Sequence, residues 1–179
     1  MKHYAILCFC LLLSGLSCKK EEIVVPVATV SSQVPPGAPE LHDIVFPSAD
    51  TGFISCSGGQ VLRTVNGGNS WTVIQVGAPE IDFEYLSFVN SQVGYVSGEG
   101  FGTRVLYKTT DGGLTWNMTG SSYEYVEIEF ITVNTGYMLH YSFLYKTTNG
   151  GLSWTMVNTL SSIDYPEDLV FLSVDTGFM

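Results

Sequence analysis

Apolar residues along this chain come in short bursts separated by Gly and Ser clusters, and no run keeps a 3.6-residue period long enough for a helix. In one representative stretch the bursts fall at Tyr85–Phe88, Gly94–Ser97, Arg104–Thr109 and Thr115–Met118, which reads as four short strands. The same layout recurs. A Phe is followed six residues later by Gly and an aromatic at Phe46/Gly52-Phe53, Phe88/Gly94-Tyr95, Phe130/Gly136-Tyr137 and Phe171/Gly177-Phe178. The four phenylalanines stand 42, 42 and 41 residues apart. Four strands in a repeat of this length match one blade of a β-propeller. The fold expected is therefore all-β: three four-stranded blades plus the start of a fourth.

A second motif sits inside each full repeat. Its copies are Thr64-Val65-Asn66-Gly67-Gly68-Asn69-Ser70-Trp71, Thr109-Thr110-Asp111-Gly112-Gly113-Leu114-Thr115-Trp116 and Thr147-Thr148-Asn149-Gly150-Gly151-Leu152-Ser153-Trp154. Asn-Gly and Asp-Gly are strong hairpin signals, because the turn needs positive φ at its central residues. The Asx side chain bonds the backbone ahead of it and the Thr hydroxyl steadies the turn. The Trp opens the next strand, with its ring over a core between neighbouring sheets.

These T-x-[DN]-G-G-x-[ST]-W copies resemble the Asp-box, or bacterial neuraminidase repeat. With the upstream Phe…Gly-aromatic element they look most like the photosystem II stability/assembly factor family and its relatives in non-photosynthetic bacteria. The resemblance runs from Leu41 to Met179. It implies a seven-bladed propeller that binds and stabilises other proteins, so the sequence is expected to be a fragment of a longer chain, spanning residues 40–179 of its blades. An open arc would leave strand edges unpaired.

Residues 1–17 read as a lipoprotein signal. Lys2 is its charged start, and the apolar run from Tyr4 to Leu13 is too short to span a bilayer. Ser14-Gly15-Leu16-Ser17 before Cys18 resembles a lipobox, which implies lipid on Cys18; the other reading is an ordinary cleavage near Ser17. The Lys19-Lys20-Glu21-Glu22 run resembles the surface-export signal of Bacteroidetes lipoproteins, or is a solvated spacer. Residues 18–39, rich in Pro and Ser, form a tether. The expected place is the bacterial outer membrane, on the cell surface if the export reading holds.

Composition narrows the chemistry. The net charge is −10 with only 7 Lys plus Arg, which argues against a nucleic-acid partner. Cys8 and Cys10 leave with the signal, so Cys56 is left alone as a buried, inert thiol. His42 and His140 lie in different repeats without ligand spacing, and Asn66, Asp111 and Asn149 occur once per blade, so neither a metal nor another cofactor is expected. No G-x-S-x-G elbow is present, and Gly98-Glu99-Gly100-Phe101-Gly102 reads as a loop between strands. A sialidase needs three arginines around its substrate carboxylate. Here there are Arg63 and Arg104, both read as solvated strand ends, so no catalytic residue is assigned.

One recurrence suggests a binding face. Three residues before each anchoring Phe stand Asp43, Tyr85, Glu127 and Asp168; six before stand Glu40, Asp82, Glu124 and Tyr165. These positions enter the first strand of each blade, which in propellers lines the central channel. Asp43, Asp82, Glu124, Glu127 and Asp168 would then form an acidic, aromatic-flanked funnel for a basic protein segment, a cation or a carbohydrate. The alternative is solvated loops that keep the protein soluble. The function expected is a non-enzymatic protein-binding or assembly module. A carbohydrate-binding or glycosidase propeller, with its working residues in other blades, is the second reading.

Overall fold

A computed structural model describes residues 37–122, 127–159, 169–173 and 176–178. Cys18, the expected lipidation site, and the carboxylates Glu124 and Asp168 lie outside them. All described regular structure is β. Three four-stranded antiparallel sheets follow one another along the chain. The first holds β1 (Leu41–Val45), β2 (Gly52–Cys56), β3 (Gln60–Thr64) and β4 (Thr72–Gln75). The second holds β5 (Asp82–Phe88), β6 (Gly94–Gly100), β7 (Thr103–Thr109) and β8 (Asn117–Ser122). The third holds β9 (Glu127–Phe130), β10 (Gly136–His140), β11 (Phe143–Thr147) and β12 (Thr155–Thr159). A fourth sheet begins with β13 (Val170–Ser173) and β14 (Thr176–Phe178). This is a partial β-propeller of meander blades.

The repeated Phe…Gly-aromatic element serves two different contacts. Within a blade, the Phe ring lies flat over the Gly of the neighbouring strand. A β-carbon on Gly52 would come within 2.6 Å of Phe46, and one on Gly136 within 2.6 Å of Phe130, so only glycine fits. Between blades, the aromatic after the Gly stacks on the Phe of the next repeat. Phe53 stacks on Phe88 with centroids 4.1 Å apart, Tyr95 on Phe130 at 3.4 Å, and Tyr137 on Phe171 at 3.9 Å. The three Trp rings close each blade edge-on against the same Phe, at 5.9, 6.0 and 5.9 Å. Trp116 and Trp154 also cap the cores between successive sheets, as expected.

Three local readings change. In the second blade the strands are longer than the apolar bursts: Gly98 to Gly100 belong to β6, paired with β7 down to Gly100↔Thr103. Only Phe101 and Gly102 form the turn, both at positive φ (55° and 71°). Gly98 is in the strand because it passes against the backbone of Asp82 and Phe83, where a side chain has no room. The Asp-box connection is likewise longer than a two-residue hairpin turn. Thr64 and Thr72 flank a loop in which the two glycines, Gly67 and Gly68, take positive φ (66° and 85°) and Asn66 does not.

The third change concerns the arginines, which are not solvated strand ends. Arg63 Nε donates to the Gly112 carbonyl of the next blade at 2.6 Å. Arg104 pairs with Glu84 and, at 3.2 Å, with Glu99. Cys56 is buried as expected, and burial pushes its thiol up to about 11, which keeps it a protonated, unreactive side chain.

Candidate functional site

The first strands of successive blades pack side by side, β1 on β5 and β5 on β9. Their outermost counterpart β12 is exposed along its whole length. The first strands therefore form the inner edge of the arc. Along it runs a single groove of about 370 Å³, reached by His42 and Asp43 from β1, Glu84 to Leu86 from β5, Glu127 to Glu129 from β9, and Leu169 and Val170 at β13. Backbone irregularities fall at the same place. β1 carries an extra residue between Leu41 and Ile44, and β5 carries one between Phe83 and Tyr85. Such bulges turn side chains that would otherwise alternate in and out of the sheet.

The groove unites two of the five predicted carboxylates and gives them a task composition did not reveal. Asp43 Oδ2 accepts the Leu86 backbone N–H of the next blade at 2.8 Å, and Oδ1 accepts its neighbour Ile44 N–H at 2.7 Å. Glu127 Oε1 accepts the Leu169 N–H at 2.9 Å in the same manner. Both are charge-assisted ties between consecutive first strands. Tyr85 holds the equivalent position in the second blade and cannot accept in this way. There Ser87 substitutes: its Oγ accepts the Phe130 N–H at 2.7 Å and donates to Glu129 at 3.3 Å. Asp82 is not in the groove. It stands at the rim, its carboxylate accepting the Gly58 N–H at 3.3 Å.

Sequence reasoning missed His42, Glu84 and Glu129, which sit four residues or one residue before the anchoring Phe rather than three. Glu84 pairs with Arg104 at the groove wall. Tyr85 lies between carboxylates: burial raises its phenol first, and Glu84 and Glu127 raise it further. The ring therefore presents a neutral hydroxyl. His42 Nε2 and Ser57 Oγ are 2.9 Å apart. No cluster of three metal-ligating side chains occurs among the described residues.

The Asp-box residues are structural, and the three copies share one set of core hydrogen bonds. Thr64, Thr109 and Thr147 are buried at the strand end. Each hydroxyl donates to the Asx Oδ1 at 2.9 Å and accepts the N–H of the second glycine, Gly68, Gly113 or Gly151, at 2.9–3.0 Å. The first glycine, Gly67, Gly112 or Gly150, donates at 2.9 Å to the β1–β2-type loop of its own blade. Asn66, Asp111 and Asn149 accept the N–H four residues ahead at 2.9–3.0 Å. One detail differs. Asn66 and Asn149 donate their amide to the Ser70 and Ser153 hydroxyls. Asp111 instead accepts from the Thr115 hydroxyl at 2.6 Å, the leading reason its carboxyl falls from 3.8 to about 2.

Residues 29–124, more than half of the chain, match the sequence model of the photosynthesis system II assembly factor YCF48 family. The fold is similar to a structure of YCF48 bound to D1 peptide, at 19% identity and a TM-score of 0.62, covering 76% of this chain and 46% of that one. It is similar to YCF48 from Cyanidioschyzon merolae at 26% identity and a TM-score of 0.59, covering 73% and 44%. An ancestral GH74 enzyme shares the fold at 16% identity and a TM-score of 0.51, covering 65% of this chain and 18% of the enzyme. The chain thus spans less than half the length of the YCF48 structures it matches. No curated protein matches its sequence.

Proposed function

The chain belongs to the photosynthesis system II assembly factor YCF48 family, and from that premise we propose that it is a non-enzymatic protein-binding module of the bacterial envelope. A lipid on Cys18 holds it at the outer membrane, the residues up to 39 act as a tether, and the propeller blades present the inner-edge groove to a protein partner. The observation that carries this reading is the groove itself, to which the first strands of all four blades contribute. That a YCF48 structure carries a D1 peptide supports a peptide-like ligand here. The groove's carboxylates favour a partner segment with basic character. Asp43 and Glu127 set its depth by holding the strands together. Tyr85, Glu84 and Glu129, each half-buried, supply the rest of its polar lining.

A glycosidase reading draws on one feature, the Tyr85 ring flanked by Glu84 and Glu127. Two observations weigh against it. The phenol is raised rather than lowered, so it is not poised as a nucleophile. Arg104, the arginine beside it, is already engaged by two carboxylates.

The test places the photo-crosslinker benzoylphenylalanine at Tyr85 in the full chain, expressed in its source envelope. A discrete crosslinked protein, displaced by excess purified domain, is expected. Cys18→Ala should move the chain from the membrane fraction to the soluble one and reduce that crosslink. Crosslinks to glycan alone, or none in the membrane-bound protein, would overturn the binding-module reading.

A further inference from the structure

Each junction between blades uses the same positions, and the first blade carries one half of a further junction uncovered. Two residues before the anchoring Phe stand Ile44, Leu86, Ile128 and Leu169. Leu86, Ile128 and Leu169 are 7%, 3% and 4% exposed, each packed in the core shared with the blade before it. Ile44 is 56% exposed. Five residues before the Phe, Phe83 is fully buried in the same way, whereas Leu41 is exposed. Phe88 and Phe130 each receive a stacked ring from the preceding blade. Among the described residues Phe46 receives none; it meets the edge of Trp71 and stays open to water. The backbone repeats the difference. The Leu86 and Leu169 N–H groups are accepted by carboxylates of the preceding blade, while the Ile44 N–H is accepted by its own neighbour Asp43.

The fourth sheet carries the opposite half. One residue before the Phe, Val45 packs into the core between the first two blades, and Ser87 is buried where it accepts the Phe130 N–H of the third. Val170 holds that position in β13 and is 47% exposed. β14 repeats the Gly-aromatic step, at Gly177-Phe178, that supplies the stacked ring at each earlier junction. We propose that these two open faces meet between two copies of this chain, the fourth sheet of each packing on the first blade of the other. The molecule itself selects this occupant, because it carries both halves of one interface and that interface already joins its own blades three times. Leu41, Ile44, Phe46 and Val170 bring no charge to the contact, so burying them removes apolar surface from water without desolvating an ion. A two-fold arrangement makes both contacts at once. Four sheets from each copy then give eight, within the range of about four to eight blades at which propellers close. The inference concerns the blade faces and does not depend on what the inner-edge groove binds.

The experiment is sedimentation equilibrium of the full chain, purified in detergent from its source envelope, with the mass of the denatured polypeptide measured beside it. Two identical chains per particle are expected, dissociating on dilution. Ile44→Glu should weaken the association at least tenfold. Met156→Glu, the same change on the exposed outer strand β12, should leave it unaltered. Because Ile44 is exposed in the single chain, the variant should fold, which circular dichroism of the dissociated chains checks; Phe46→Ala, a milder change on the same face, should weaken association in the same direction. One chain per particle at every concentration would overturn the proposal, whether the face stays open or further blades of a longer polypeptide cover it. So would a particle of two different polypeptides, or association that neither Ile44→Glu nor Phe46→Ala weakens. The Tyr85 crosslink reads the groove separately, so its success or failure is distinguishable from this result.

Discussion

The two rims of the blades differ in kind. On the Asp-box side, three loops of different sequence repeat the same hydrogen bonds almost to a tenth of an ångström, and Arg63 reaches across to the next loop at Gly112. On the opposite side, each blade ends its second hairpin differently, with Gly58-Gly59, Phe101-Gly102 or Tyr141-Ser142. What recurs in every copy is what each blade needs in order to close and to meet its neighbour. The first blade's tip still meets its neighbour, Gly59 N–H donating to the Ile81 carbonyl at 2.6 Å, whereas Phe101 and Tyr141 at the other two tips are exposed. A recurring motif in a repeat protein is therefore first a statement about folding, and the irregular positions are where binding is to be sought.

The contrast is sharpest inside the aromatic interfaces, where the largest effect is expected. Phe130 is 3% exposed: Tyr95 stacks on it, Trp154 meets its edge, and Gly136 lies beneath it. Phe46 holds the same position in the first blade and is 43% exposed. Phe130→Ala should cost about 3–5 kcal/mol, and Phe46→Ala only about 1 kcal/mol. Chemical denaturation of both variants checks this; equal losses would mean that stacking between blades is not what stabilises the array.

Next comes the box hub. Thr109→Ala removes a buried hydroxyl that accepts the Gly113 N–H and donates to Asp111, at a cost of about 1–3 kcal/mol. Thr109→Ser should recover most of the loss. Denaturation midpoints compare the two, and a failed Ser rescue would show that the methyl group, not the hydroxyl, matters.

The smallest effect separates the one acidic box from its two amide counterparts. Asp111 has a folded-state value of about 2, below the ordinary 3.8. Its contribution is therefore complete above about pH 4 and is lost as the pH falls toward 2. Asn66 and Asn149 do not titrate. Asp111→Asn should leave neutral-pH stability nearly unchanged and flatten the acid limb of the stability curve between these values. An unaltered acid limb would remove Asp111 from the account.

Much of this was readable in the chain. The 42-residue spacing of Phe46, Phe88 and Phe130 revealed the blades, and the T-x-[DN]-G-G pattern revealed the turns with their Thr and Asx bonds. The pairings were not readable. Phe88 and Tyr95 recur together within a repeat, yet each stacks on a different neighbour, and period alone does not distinguish a contact within a blade from one between blades. Asp43 and Glu127 were legible as carboxylates on the first strand. Their backbone partners Leu86 and Leu169 lie some forty residues on, where no local pattern points to them. The bulges at β1 and β5 shifted His42 and Glu84 into the groove against simple alternation.

Because each unit carries one ring for the blade behind it and another for the blade ahead, every junction is built from the same two halves. Duplicating or deleting a whole unit rebuilds a stacked aromatic junction of the same kind at the splice. Blade number can therefore change by simple genetic copying, without any compensating substitution, and selection on the hairpin tips of a new copy can begin at once.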